Sequence, residues 1–253
     1  MTLFARDALA QTRVLVTGAS GGLGRHFALT VAAHGAQVIV AARRAPALDE
    51  VVASIQQHGG RASAVALDVR DADSVDAAIA ASAPIDVVVN TAGIALTRPA
   101  MDTDDTAWHD VIDTNLTGAF RVARAASRAM SATERGGVIV NIASILAFRV
   151  AKQVAAYGAA KAALVHLTQS LALELAAKRI RVNALAPGYI VTDLNRDFLA
   201  SAAGEALAKR VPMRRFGQAA DLDGALLLLA SDASRYMTGT TIVVDGGHGV
   251  AWL

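Results

Sequence analysis

Residues Arg13–Gly24 read R-V-L-V-T-G-A-S-G-G-L-G. Arg13–Thr17 is a compact apolar run, which predicts a strand buried on both faces. A glycine cluster follows, then a helical pattern to about His34 that Gly35 closes. Strand, glycine turn and helix in that order is the context in which such a cluster holds phosphate. The first N–H groups of the helix have no partner within it, and the helix dipole adds to their pull on an anion. Glycines at 18, 22 and 24 let the backbone come close to that anion. We therefore assign Gly18, Ser20, Gly22, Leu23 and Gly24 to a dinucleotide cradle, spaced G-x-x-x-G-x-G rather than G-x-G-x-x-G.

The rest of the chain repeats the alternation that this stretch begins. Predicted strands fall at Gln37–Ala42, Arg61–Leu67, Ile85–Val89, Gly137–Ala143, Ile180–Ala186 and Thr240–Val244. Helical patterns separate them, the longest from about Thr103 to Met130 and from before Tyr157 to about Lys178. Near-continuous Val/Ile strands divided by helices imply a parallel sheet covered on both faces. The expectation is an α/β, doubly wound Rossmann-type fold of seven parallel strands, with residues 1–253 as a single domain.

Composition narrows the function. Hydrophobic residues make up 54% of the chain, which argues against disorder. The net charge of +2 is not gathered into runs, so no nucleic-acid footprint is expected. There is no cysteine, which removes disulfides, thiolate metal sites and cysteine nucleophiles. The histidines show no ligand-like spacing, and no metal is expected. The start M-T-L-F-A-R-D lacks the apolar core of a secretory signal, and no apolar run is long enough to span a membrane. A cytoplasmic protein with no membrane partner is the expectation.

The end of the second strand selects the dinucleotide. An acid there would bind a ribose 2′-hydroxyl, whereas arginine suits a 2′-phosphate. The sequence has Ala41-Ala42-Arg43-Arg44 and no acid before Asp49. Arg43, helped by Arg44, favours NADP, with NAD as the alternative. Asp68 and Val69 close the third strand, where Asp68 would meet an adenine amino group or else cap the next helix. Farther on, Tyr157 and Lys161 lie four apart in Y-G-A-A-K and share one helix face. An ammonium near a phenol favours the phenolate, so the pair can carry acid/base chemistry.

With these landmarks in order, the chain resembles the short-chain dehydrogenase/reductase family from about Arg13 to Gly247. Asn90-Thr91-Ala92-Gly93 is similar to the family's N-N-A-G, with Thr91 in place of the second Asn. Asn115, Ser144, Tyr157 and Lys161 fall where its catalytic tetrad stands. Pro187-Gly188 with Thr192 resembles its P-G-x-x-x-T segment, and Asp245-Gly246-Gly247 its D-G-G.

The resemblance implies that Tyr157 is the general acid/base and that Lys161 tunes it and holds the nicotinamide ribose. Ser144 would hold the substrate oxygen, and Asn115 would join a water relay to the lysine. It also implies cofactor contacts from Asn90, Ala92, Gly93, Pro187, Gly188, Ile190 and Thr192. The reaction would interconvert a ketone and a secondary alcohol, the substrate being a small molecule. A regulator that only senses the cofactor, or a methyltransferase on the same sheet, would not need Tyr157 and Lys161. Residues 190–214 would form a substrate lid, with Leu194, Phe198 and Leu199 beside Ile145, Leu146, Phe148 and Tyr189 in a partly apolar pocket. Trp108 and His109 are expected in the core or an interface, and Trp252 in the tail. Both long helices carry small apolar residues, and the resemblance implies that they pair in a homotetramer, with a dimer second.

Overall fold

In the computed structural model, which describes residues 4–133, 135–192 and 195–251, seven strands form one parallel sheet in the order β3-β2-β1-β4-β5-β6-β7. The strands are β1 (Arg13–Thr17), β2 (Gln37–Ala42), β3 (Arg61–Ala66), β4 (Val87–Asn90), β5 (Gly137–Ile142), β6 (Ile180–Pro187) and β7 (Thr241–Val244). Helices α1 (Gly22–Ala33), α2 (Ala45–Gln57) and α3 (Ala72–Ser82) connect the first four strands. After β4 come α4 (Asp105–Ile112) and α5 (Gly118–Ala132), then α6 (Ala155–Leu175) between β5 and β6. Two short helices, α7 (Arg196–Leu199) and α8 (Ala202–Ala208), precede α9 (Asp223–Ala230).

Alternation along each strand sends successive side chains to opposite faces. Val14 and Val16 join Phe27, Val40, Leu48 and Leu226 in one apolar layer. Leu15 turns the other way to join Ile39, Val88, Val122, Ile139 and Leu171. The two layers make the sheet buried on both faces, as its unbroken Val/Ile strands require. The edge differs: β3 has an R-A-S-A-V-A sequence and is largely exposed.

Strand order reverses between β1 and β4, and the carboxyl ends of those strands open a crevice where ligands bind in such sheets. The long helix expected over 103–130 is not continuous. A π-helical turn at Asp113–Thr117 divides α4 from α5, and Asn115 sits in it, fully buried. Such turns admit one extra residue per turn and are frequent at functional sites.

A buried polar chain crosses the sheet behind the crevice. Asn90 donates to the side-chain oxygen of Asn141 at 3.0 Å and to the Ala119 carbonyl at 3.2 Å. Asn141 donates on to the Thr168 hydroxyl at 2.9 Å, and Thr168 donates to the Leu164 carbonyl at 2.8 Å. These bonds tie α5, β4, β5 and α6 together. Replacing Asn141 with Ala strands two buried partners and is expected to cost about 2–4 kcal/mol. Urea unfolding checks this, and a loss below ~0.5 kcal/mol would contradict it.

Candidate active site

The glycine turn is fastened to the next strand before it meets any ligand. The Thr17 hydroxyl accepts N–H bonds from Thr91 and Ala92, both at 3.1 Å. Gly18 has φ +66°, and a Cβ there would come within 2.8 Å of the Ala92 Cα. A Cβ on Gly24 would strike the Gly18 carbonyl. These two glycines therefore close the turn against its surroundings.

The other two keep its outer side open. A Cβ at Gly21 or Gly22 would meet nothing within 4 Å. Gly21 heads α1 with no side-chain cap, so the first-turn N–H groups face that open side. A cavity of about 330 Å³ lies there, with Ser20, Arg25, Glu50, Thr192 and Arg196 in its wall, two cations against one carboxylate. An uncapped helix start beside an open, partly cationic cavity fits a pyrophosphate. Leu23 turns its side chain into the core, so only its backbone serves the cradle.

Around the cradle, the structure assigns the neighbouring residues more finely than spacing does. Arg44, rather than Arg43, reaches the turn, donating to the Ser20 hydroxyl at 3.2 Å. Arg43 is exposed and forms no ion pair among the described residues. Asp71, not Asp68, caps α3 by accepting from Asp73 and Ser74. Asp68 accepts from the Arg70 N–H at 2.9 Å, which holds its carboxylate at the strand end. Val69 is buried, and a Cβ on Gly118 would come within 2.7 Å of it. The side-chain N–H groups of Asn90 are spent on Asn141 and Ala119.

The four tetrad positions converge beyond β4 and β5. Asn115 accepts from the Ile94 N–H at 2.7 Å and donates to the Ile94 carbonyl at 2.8 Å, fixing the loop after Gly93. Lys161 is 5% exposed and donates to the Ile142 carbonyl at 2.7 Å. Its ammonium lies 5.6 Å from the centre of the Tyr157 ring. Burial pulls the Lys161 pKa down to about 8. Ser144 accepts from the Leu146 N–H at 3.1 Å, which caps the turn after β5. The same hydroxyl lies close enough to Tyr157 to draw its phenol pKa down, so capping and site roles coexist.

Burial raises the Tyr157 pKa, the Ser144 hydroxyl opposes that, and the nearby Tyr189 adds to it. The expected depression of the phenol by Lys161 is therefore not present in the protein alone. Desolvation disfavours the phenolate and outweighs the rest. The phenol stands as a proton donor.

The segment after β6 closes the far side. The Gly188 N–H donates to the Val244 carbonyl at 2.9 Å, and a Cβ at Gly188 would lie 2.7 Å from the Asp245 Cα. Asn195 accepts from the Thr192 N–H at 2.8 Å and donates to the Ile190 carbonyl at 2.9 Å. Sequence reasoning missed Asn195, although an Asn three residues after Thr192 is a turn signal. It likewise missed Asn141 and Thr168, whose pairing depends on strand register. Leu194 and Trp252 lie outside the described residues. Of the pocket candidates, Leu199 and Ile145 are buried, while Phe198 and Phe148 are exposed. Trp108 and His109 lie on the surface rather than in the core.

The family model described as enoyl-(acyl carrier protein) reductase matches residues 18–249. The chain belongs to the short-chain dehydrogenase/reductase family and is an oxidoreductase of that family. It is 40% identical over 246 residues to a 3-oxoacyl-[acyl-carrier-protein] reductase of Synechocystis sp., covering 95% of this chain and 98% of that one. It is 36% identical over 244 residues to a gluconate 5-dehydrogenase of Gluconobacter oxydans, covering 94% and 95%. Among solved structures, a gluconate 5-dehydrogenase from Burkholderia cenocepacia J2315 in complex with NADP and tartrate is similar, with a TM-score of 0.93 and 35% identity, covering 98% of each chain. No helix among the described residues is long and apolar enough to cross a membrane.

Gly93 keeps the tetrad in register, since a Cβ there would lie 3.0 Å from the Asn115 Oδ1 and 3.8 Å from the Lys161 Nζ. Gly93→Ala is expected to lower kcat by about tenfold or more, with a stability loss of about 1 kcal/mol or less. Ketone reduction and thermal unfolding measured on the same preparation check both parts.

Proposed function

We propose that this protein interconverts a ketone and a secondary alcohol with NADP(H), using Tyr157 as general acid and base. One observation carries the reading: Tyr157, Ser144 and Lys161 converge in the crevice whose other end is the open glycine cradle. The bound cofactor supplies or accepts the hydride. The chain's own residues do the rest.

In reduction, Tyr157 gives its phenolic proton to the carbonyl oxygen as negative charge grows there. Ser144, already an acceptor for Leu146, points its own O–H at the same oxygen. Lys161 stabilises the phenolate left behind. With a pKa near 8 it can pass a proton back to that phenolate at neutral pH. Its bond to Ile142 leaves further N–H groups for the ribose hydroxyls, the role the family resemblance implies. Asn115 and Gly93 keep that corner open, and Asn90 and Ala92 contribute backbone to the crevice. In oxidation the steps reverse, with the phenolate taking the alcohol proton.

NADP rather than NAD is supported by the pair Arg43-Arg44 and by the Arg44–Ser20 bond. NADP present in the related structure of 35% identity points the same way. Gly18, Gly22, Leu23 and Gly24 would take the pyrophosphate. Asp68 and Val69 would border the adenine, while Pro187, Gly188, Ile190 and Thr192 would border the nicotinamide. We read residues 1–253 as one domain with a lid over 190–214. The protein is proposed to be cytoplasmic and to assemble as a homotetramer. Exposed Leu173 on α6, 84% accessible, and the exposed Ala155, Ala159 and Ala162 on the same helix support that assembly.

Tyr157→Phe should cut turnover by about a thousandfold or more while leaving NADPH affinity within about twofold, because only the proton donor is lost. Stopped-flow reduction with fluorescence titration of NADPH separates the two effects. Arg44→Ala should raise the KM for NADPH by about tenfold or more and leave that for NADH unchanged, since only a 2′-phosphate contact goes. Wild-type protein that prefers NADH would overturn the assignment.

A further inference from the structure

The turn that ends the described chain, His248–Val250, sits against the site but takes no part in the steps above. It is held from two sides. Asp245 accepts from the Gly247 N–H at 2.8 Å and from the Gly249 N–H at 2.5 Å, so both carboxylate oxygens are spent on the turn. Arg149, five residues after Ser144, donates from one terminal nitrogen to the Gly249 carbonyl at 3.2 Å and to the Ala251 carbonyl at 2.9 Å. His248 is thereby placed with its ring 5.5 Å from that of Tyr189. Tyr189 is close enough to Tyr157 to push its phenol pKa up. Through Tyr189, His248 is within electrostatic reach of the reacting position.

The chemistry of His248 follows from its burial. Nδ1 is buried and has no partner. A proton there would be an unsatisfied buried donor, so the proton belongs on Nε2. Burial and the charges of Arg149 and Arg210 pull the His248 pKa down, against an opposing pull from Asp245. The ring is neutral at pH 7, with Nε2–H as its donor. Arg149 keeps Nε and its second terminal nitrogen unengaged among the described residues. The Met213 N–H donates to the Gly246 carbonyl at 3.1 Å, which brings the strand of chain carrying Arg210 alongside. Arg149 and Arg210 thus both bring positive charge to the ring of His248.

We propose that His248, Arg149 and the Tyr189 hydroxyl form the distal end of the substrate pocket and bind a carboxylate, so that the substrate is an oxo acid or hydroxy acid. This rests on the oxidoreductase reading only in placing the reacting carbon at Tyr157. The ring-to-ring spacing calls for a carboxylate several bonds from the carbonyl, so the probes are 5-oxohexanoate and its methyl ester.

Ring-nitrogen NMR of the full chain with NADP+ reads the contact directly, with the His248 signal identified by its loss in His248→Gln. The oxo acid is expected to shift that signal and to bind at least about tenfold more tightly than the ester. His248→Ala is expected to raise KM for the acid about tenfold and to leave kcat and KM for the ester within about twofold. Equal affinity for acid and ester, or a His248 signal that neither moves, would overturn the proposal. Failure of NADP+ to bind would sink the cofactor assignment instead, and the His248 titration is still read on that sample.

Discussion

A buried ammonium is the constraint around which this site is built. Lys161 is almost wholly removed from water, with the Ile142 carbonyl accepting one of its N–H groups. Lowering its pKa from 10.5 to about 8 corresponds to about 3 kcal/mol that the fold gives up at neutral pH. The sign is that of a cation disfavoured in the folded state. The penalty is complete below pH 8, shrinks as pH rises toward 10.5, and is absent above it. A core of Val, Ile and Ala has no stability reason to hold such a group. Its position 5.6 Å from the Tyr157 ring supplies a chemical one.

Keeping that ammonium in place is a matter of strand and helix register. Lys161 rides on α6, which Thr168 ties to β5 through Asn141, and Asn141 is tied in turn to β4 and α5 through Asn90. Asn115 arrives from the other side, on a π turn that a regular helix would not provide. A buried hydrogen bond is worth most where its loss leaves partners unsatisfied, so this chain resists small slips of α6. The crevice itself costs little. It follows from the reversal of strand order between β1 and β4, and four well-placed glycines leave it open or closed where required.

The fold was legible because its signals are local and redundant. Unbroken apolar strands, helical spacing and a glycine turn between them lead to one topology. The cradle and the Tyr157–Lys161 pair were legible for a similar reason, since turn chemistry and helical spacing set them within a few residues. What sequence did not show depends on three-dimensional register. The Asn141–Thr168 bond needs β5 and α6 in place, and the Arg44–Ser20 bond depends on side-chain direction at the head of α2. The break at Asp113–Thr117 left no mark on the apolar pattern. In the protein alone desolvation raises the Tyr157 phenol, and that balance depends on burial rather than on residue spacing.

The chain has only four lysines, so the central claim is open to a direct measurement. Protein labelled with 13C at lysine Cε gives one resonance for each, and pH titration reads each ammonium separately. One resonance should titrate near pH 8 and vanish in Lys161→Met. Four resonances that all titrate above pH 10 would contradict the account of a buried, chemically tuned lysine.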